Sequence, residues 1–205
     1  MPYSEDPDVE SLLSRARGGD RSAVGRLLER YRPRLWQMVA VHMDPCLAAR
    51  VDASDVVQEA LAVAAQRFPE YLREPPLPFY AWLRQIAWDR VLDAYRRHVR
   101  AGNRTVQREE KLGIPDTSAL ELADRFAADS TSILKRLLRK ELLARIQAAL
   151  AGLNAHDREI LILRYLEQLS TAETAAVLQI SETAAKQRLL RAVQRLRQLL
   201  DEDYG

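Results

Sequence analysis

Two stretches of this 205-residue chain place their apolar residues three and four positions apart, and the stretch between them does not. That spacing belongs to helices that bury one stripe, so the chain is restricted to helical units with a break between them. In the first block Val9, Leu12, Leu13 and Ala16 form one run, and after Gly18, Gly19 and Asp20 a second follows through Val24, Leu27, Leu28, Tyr31, Leu35, Met38 and Val39. Pro33 is expected to kink or divide that second run. Asp52 is placed to cap a third helix with Val56, Val57, Ala60, Leu61 and Ala64 on one face, and Pro69 is expected to close it. Arg73-Glu74-Pro75-Pro76-Leu77-Pro78 is then expected to be no regular helix, after which Phe79, Trp82, Leu83, Ile86, Ala87, Val91, Ala94 and Tyr95 outline a fourth.

Seven Gly, nine Pro and few β-branched runs favour helix over sheet, and the chain reads as all-α: two small helical domains joined by an acidic linker. From about Gly102 to Ser132 the periodicity fades and Gly, Pro, Thr, Ser and Asp accumulate. The expected division is therefore a helical bundle over 8–100, a linker over 101–134 and a second domain over 135–201. In that second domain Leu138, Leu142, Ile146 and Leu150 lead to Gly152, and Asn154 opens a helix carrying Ile160, Leu161, Leu163 and Tyr165. Ser170-Thr171-Ala172-Glu173 is a capping box that starts a short helix ending at Leu178. Ser181 caps the last one, with Ala185, Leu189, Ala192, Leu196 and Leu199 inward.

The formal charge of +2 hides a segregation. Between Arg84 and Arg108 seven arginines (Arg84, Arg90, Arg96, Arg97, Arg100, Arg104, Arg108) face two aspartates, a local +5. Glu109 to Ser132 carries −4, and Glu182 to Leu200 carries +4. Two basic helices around an acidic connector are what phosphate neutralisation at two places on one nucleic acid requires. Two helices joined by a tight turn, the second basic, form a helix-turn-helix, whose second helix enters the major groove by its N-terminal residues. The outward positions are Glu182, Thr183, Lys186, Gln187 and Arg191, with Arg188 beside them. Lysine and arginine suit guanine and glutamine suits adenine, while Arg158 is placed to hold a phosphate.

Other classes are excluded by what is missing. The lone Cys46 rules out an intramolecular disulfide or multi-cysteine zinc site, and His42, His98 and His156 stand in no metal-ligand or catalytic spacing. No intrinsic catalysis and no cofactor or metal is expected. The longest apolar run, Ala60 to Ala65, is too short for a membrane span, and Met1 to Glu10 is unlike a leader, so a cytoplasmic location is expected.

These motifs resemble a known family. Leu153-Asn154-Ala155-His156-Asp157-Arg158-Glu159, Leu163-Arg164-Tyr165, Leu169-Ser170, Ala175 to Ser181 and Lys186 to Ala192 are similar to the −35-binding domain of bacterial RNA polymerase sigma factors. Asp52 to Ala60 looks like the sigma segment that docks on the polymerase clamp, and Phe79 to Ala87 like the helix that melts the −10 element. With two domains and a short linker, the chain resembles the extracytoplasmic-function (ECF) group. The resemblance implies a transcription initiation factor with core RNA polymerase (clamp and flap) and promoter DNA as partners, and leaves room for an anti-sigma factor. It implies polymerase contacts by Asp55, Val56, Gln58 and Glu59. The runner-up is an autonomous helix-turn-helix regulator that binds duplex without polymerase.

Three features depart from the family pattern: Gln179 replaces the usual turn glycine, Thr183-Ala184-Ala185 stands for Gly-Thr-Val, and Asp89 for an asparagine. The promoter sequence does not follow from the resemblance. Opening a duplex needs aromatic faces beside arginines to hold unstacked bases. Tyr80, Arg84 and Trp88 lie at i, i+4 and i+8 on one flank of the fourth helix and are read as contacts to the −10 strand, together with Asp89. For Trp88 the other reading is packing beneath a neighbouring helix; Trp82, on the apolar stripe, is assigned to the core. A flipped base needs a pocket, which the resemblance places at the proline-rich loop from Leu72 to Pro78. Arg96, Arg97, Arg100 and Arg104 are read as duplex-phosphate contacts.

Overall fold

The computed structural model describes residues 7–43, 45–98, 148–150 and 152–202. Among these every regular element is a helix, and the chain divides into two compact units. The first contains α1 (Pro7–Arg17), α2 (Arg21–His42), α3 (Pro45–Ala48), α4 (Ala53–Arg73) and α5 (Phe79–His98). The second is built on α6 (Ala155–Leu161), which runs into a π-helical turn at Ile162–Leu166, and on α8 (Glu182–Glu202), with α7 (Thr171–Leu178) leading into α8. The linker, Leu138, Leu142 and Ile146 lie outside the described residues. No described helix is long and apolar enough to cross a membrane.

Local chemistry sets the helix ends. α1 stops because Gly19 takes φ +90°, which lets its amide reach the Ala16 carbonyl and the Asp20 amide reach that of Arg15, both at 3.0 Å. Asp20 then starts α2: its Oδ1 accepts from the Ser22 and Ala23 amides at 2.9 and 3.2 Å and from the Ser22 hydroxyl at 2.6 Å. The Ser22 hydroxyl and the Arg15 guanidinium, 2.6 Å from Oδ2, hold the Asp20 carboxyl well below its ordinary range. Asp52 caps α4 through the Ser54 amide at 2.7 Å, as its sequence position suggests.

Pro69 does not close its helix as expected, and of the two outcomes expected at Pro33, a kink or a division, the division does not occur. α2 is a single helix through Pro33, and α4 continues past Pro69 to Arg73. Each proline removes one helix hydrogen bond, but buried side chains anchor the helix on both sides: Leu27, Leu28, Leu35 and Met38 around Pro33, Phe68 and Tyr71 around Pro69. Each such side chain contributes about 1.5–3 kcal/mol when removed from water, enough to outweigh a lost bond. The short α3 has no counterpart among the expected elements.

α5 is the central helix of the first unit, packed on α2, α3 and α4. Its first six residues, Phe79 to Arg84, are all buried. Phe68, Tyr71, Phe79 and Trp82 form one aromatic cluster with ring centroids 4.6–6.4 Å apart, and Tyr31 joins it at 5.4 Å from Phe79. The Tyr71 hydroxyl donates to the Leu77 carbonyl at 3.2 Å and ties the proline-rich loop to α4.

Candidate nucleic-acid interface

The helix-turn-helix is built by its caps. The Ser170 amide donates to Glu173 Oε2 at 2.8 Å and the Glu173 amide to Ser170 Oγ at 3.1 Å, the reciprocal capping box that the sequence shows. α7 closes on Gln179, which adopts φ +54° while the Ile180 amide reaches the Ala175 carbonyl at 3.0 Å and its own amide that of Ala176 at 3.3 Å. This is the same closure that Gly19 makes after α1, so the turn keeps its geometry without glycine. Ser181 Oγ then accepts from the Ala184 amide at 3.1 Å and opens α8.

That start fixes which side of α8 faces out. Thr183, Lys186, Gln187 and Arg191 are exposed and Arg188 half-exposed, while Ala185, Ala192 and Leu196 are buried. Arg191 Nε donates to the Gln187 carbonyl at 3.3 Å, holding its guanidinium along the helix. Leu190, 60% exposed, lies on the same outward side, a position that no polar pattern marks.

Other arginines of this unit also make internal contacts: Arg164 donates to the Leu169 carbonyl, and Arg158 and Arg195 are held as follows. Arg158 Nε donates to the Leu150 carbonyl at 2.9 Å and Nη2 to the Leu153 carbonyl at 2.8 Å, so its guanidinium satisfies the carbonyls that end the preceding helical segment. The expectation that Arg158 holds a phosphate is corrected accordingly: it is a cap. Arg195 donates to the buried carboxylate of Asp157, which also accepts from Asn154 Nδ2 at 2.7 Å. These contacts tie α8 to the start of α6.

In the first unit Asp55, Gln58 and Glu59 share an exposed face of α4, whereas Val56 is buried and contributes packing rather than a contact surface. Tyr80 and Arg84 do not lie on an exposed flank. Both are buried, because α5 has helices on more than one side. The Arg34 guanidinium carbon lies 3.6 Å from the Tyr80 ring centroid and Tyr31 stacks on the same ring at 5.7 Å, so neighbours occupy the surroundings of this aromatic. Trp88 is half-buried with its ring edge-on to His42 at 4.7 Å, so part of the side chain packs and part faces outward.

Asp89, Arg96 and Arg97 are exposed, and Arg100 lies outside the described residues. Much of the local positive charge is paired: Asp93 accepts from Arg90 at 3.0 Å and Arg96 at 3.2 Å, and Arg97 meets Glu59 at 3.3 Å. Beside the proline-rich loop a groove of about 940 Å³ is lined by Arg67, Glu70, Tyr71, Arg73, Glu74, Pro76 and Trp82, two carboxylates beside two guanidiniums. Arg73 belongs to the proline-rich stretch that the sequence singles out, whereas Arg67 stands outside every sequence motif and becomes a neighbour of this groove only through the fold.

Residues 27–101 match the family Sigma-70 region 2, and residues 143–196 match Sigma-70, region 4. RNA polymerase sigma factor CnrH of Cupriavidus metallidurans is 32% identical over 97% of this chain and 97% of its own. ECF RNA polymerase sigma factor SigD of Mycobacterium tuberculosis is 30% identical, covering 92% of this chain and 82% of its own. The solved structure of CnrH in complex with the cytosolic domain of CnrY superposes with a TM-score of 0.55 at 26% identity, over 96% of this chain and 99% of that one. Region 2 and region 4, in that order and with relatives matched almost end to end, place this chain in the sigma-70 family, among the ECF RNA polymerase sigma factors.

Proposed function

We propose that this sigma factor docks on core RNA polymerase through Asp55, Gln58 and Glu59 of α4, reads the −35 element with α8 and opens the −10 element with the first unit. The carrying observation is the exposed row of Thr183, Lys186, Gln187 and Arg191 on a helix whose start is fixed by two side-chain caps. Side chains so held can meet base edges in the major groove without reordering the turn. Val56 supports the docking face from beneath.

With Tyr80 and Arg84 in the core, capture of an unstacked base is assigned to the groove beside the proline-rich loop. Tyr71 and Trp82 supply aromatic walls there; Arg67 and Arg73 stand beside Glu70 and Glu74, so the aromatic faces rather than a net charge support this reading. Arg96, Arg97 and Arg100 approach the duplex phosphates, with Asp89 and Trp88 at the edge of the melted strand. The protein acts by binding, in the cytoplasm where polymerase works. A protein of the anti-sigma kind is a further partner, a reading supported by CnrH having been solved in complex with the cytosolic domain of CnrY.

The test is transcription by core polymerase from a library of promoter fragments, with and without this chain. The reading expects new starts whose upstream sequence preference shifts when Lys186 or Gln187 is substituted. Starts that keep the same upstream preference after both substitutions would refute the assignment of α8.

A further inference from the structure

The antiparallel contact between α4 and α5 joins two surfaces that the proposed function uses for different partners. Glu59 stands in the second turn of α4, on the face assigned to polymerase, and Arg97 in the last turn of α5, on the face assigned to DNA phosphates. Thirty-eight positions apart in sequence, they meet at 3.3 Å through Arg97 Nη2 and Glu59 Oε2. Both are about half-exposed, 53% and 48%, so either can be drawn away by a partner. Arg97 Nε also donates to the Asp93 carbonyl at 3.4 Å, which keeps the guanidinium folded back toward its own helix.

We infer that Glu59 and Arg97 form an electrostatic latch through which polymerase docking releases a DNA-binding cation. The inference rests on the proposed docking and phosphate-contacting faces. In the free chain Glu59 offsets the Arg97 charge, and Asp93, shared by Arg90 and Arg96, offsets one more, so this end of α5 shows DNA less positive charge than its arginines alone carry. A basic polymerase surface that engages Glu59 removes the competing carboxylate and leaves Arg97 for a phosphate. Coupling of this kind is reciprocal: a phosphate that takes Arg97 frees Glu59 for polymerase by the same factor.

The size follows from the exposure of the pair. Half-exposed ion pairs couple weakly, so the latch changes either affinity by about 1.4- to 5-fold. It biases the order of assembly and does not forbid either step.

A double-mutant cycle on the full chain tests this. Glu59→Gln should tighten binding of the free chain to a labelled duplex promoter fragment at fixed low salt by that factor, and the gain should disappear in the Arg97→Gln background. Conversely, Arg97→Gln should tighten binding to core polymerase without DNA, and should do so only while Glu59 is present. An equal gain from Glu59→Gln with or without Arg97 would reduce the effect to general repulsion between an acid and DNA and overturn the latch. Unchanged core affinity in Arg97→Gln would overturn it from the other side. A chain that binds neither core nor duplex would overturn the proposed function beneath it, a result distinct from intact binding with zero coupling.

Discussion

Gln179 holds a backbone conformation that glycine adopts freely, and replacing it should stabilise the helix-turn-helix. At φ +54° a side chain with a Cβ costs about 1–2 kcal/mol relative to right-handed backbone. Glycine avoids that cost but loses about 0.5–1 kcal/mol more conformational entropy on folding. With each range taken at its middle, the difference favours Gln179→Gly by about 0.75 kcal/mol. No contact offsets are expected, because Gln179 is exposed and the closing hydrogen bonds are all backbone. Hydrogen exchange in the full chain reads the stability of α7 and α8 directly, and amides that exchange only on opening of this segment should slow by about 2- to 5-fold. The converse substitution, Gly19→Gln, places the same strain after α1 and should speed exchange there. Exchange that is unchanged or faster in Gln179→Gly would show that the left-handed residue is not a strained position, and the reasoning from φ would fail.

Other consequences are as specific. Arg158→Ala removes two half-buried charge-assisted bonds to carbonyls and should destabilise the second unit by about 2–3 kcal/mol in chemical denaturation, yet leave the salt dependence of promoter binding unchanged. Lys186→Ala should lower discrimination at one −35 base pair by about 1–3 kcal/mol, whereas Arg191→Ala, if it loses a phosphate, should reduce the slope of log K against log salt by about 1 for all sequences. Asp20 carries a depressed folded-state pKa, so its cap stabilises the α1–α2 turn above the ordinary value of 3.8 and is lost as pH falls below it. Acid titration of helix content should therefore show a step in that range that Asp20→Asn lacks.

Periodicity and caps were legible because both are local. The stripe from Phe79 to Ala94 is buried as its spacing implies, and Ser170 with Glu173 and Ser181 make the bonds that their positions suggest. What the sequence hid is non-local. Tyr80 and Arg84 look like a second, exposed flank only if α5 has one buried side, whereas it packs on three helices. Arg158 and Arg195 read as free positive charge until the carbonyls of Leu150 and Leu153 and the carboxylate of Asp157 are brought to them. Pro33 and Pro69 break helices by their own preference, and the burial that overrides it comes from neighbouring helices. The arginine run after Arg84 overstates the positive field for the same reason, since Glu59 reaches it from another helix.

The proposed function requires that α4 join this chain to core RNA polymerase and that the joined complex select promoters. Its most direct test is size-exclusion co-elution with core polymerase, followed by transcription from the co-eluting fraction, for the natural chain and for the Asp55→Asn, Gln58→Ala double variant. The natural chain should co-elute and programme sequence-selective starts, and the double variant, folded by circular dichroism, should do neither. Selective transcription that survives both substitutions would contradict the docking assignment. Tight duplex binding by a chain that never joins polymerase would contradict the claim as a whole.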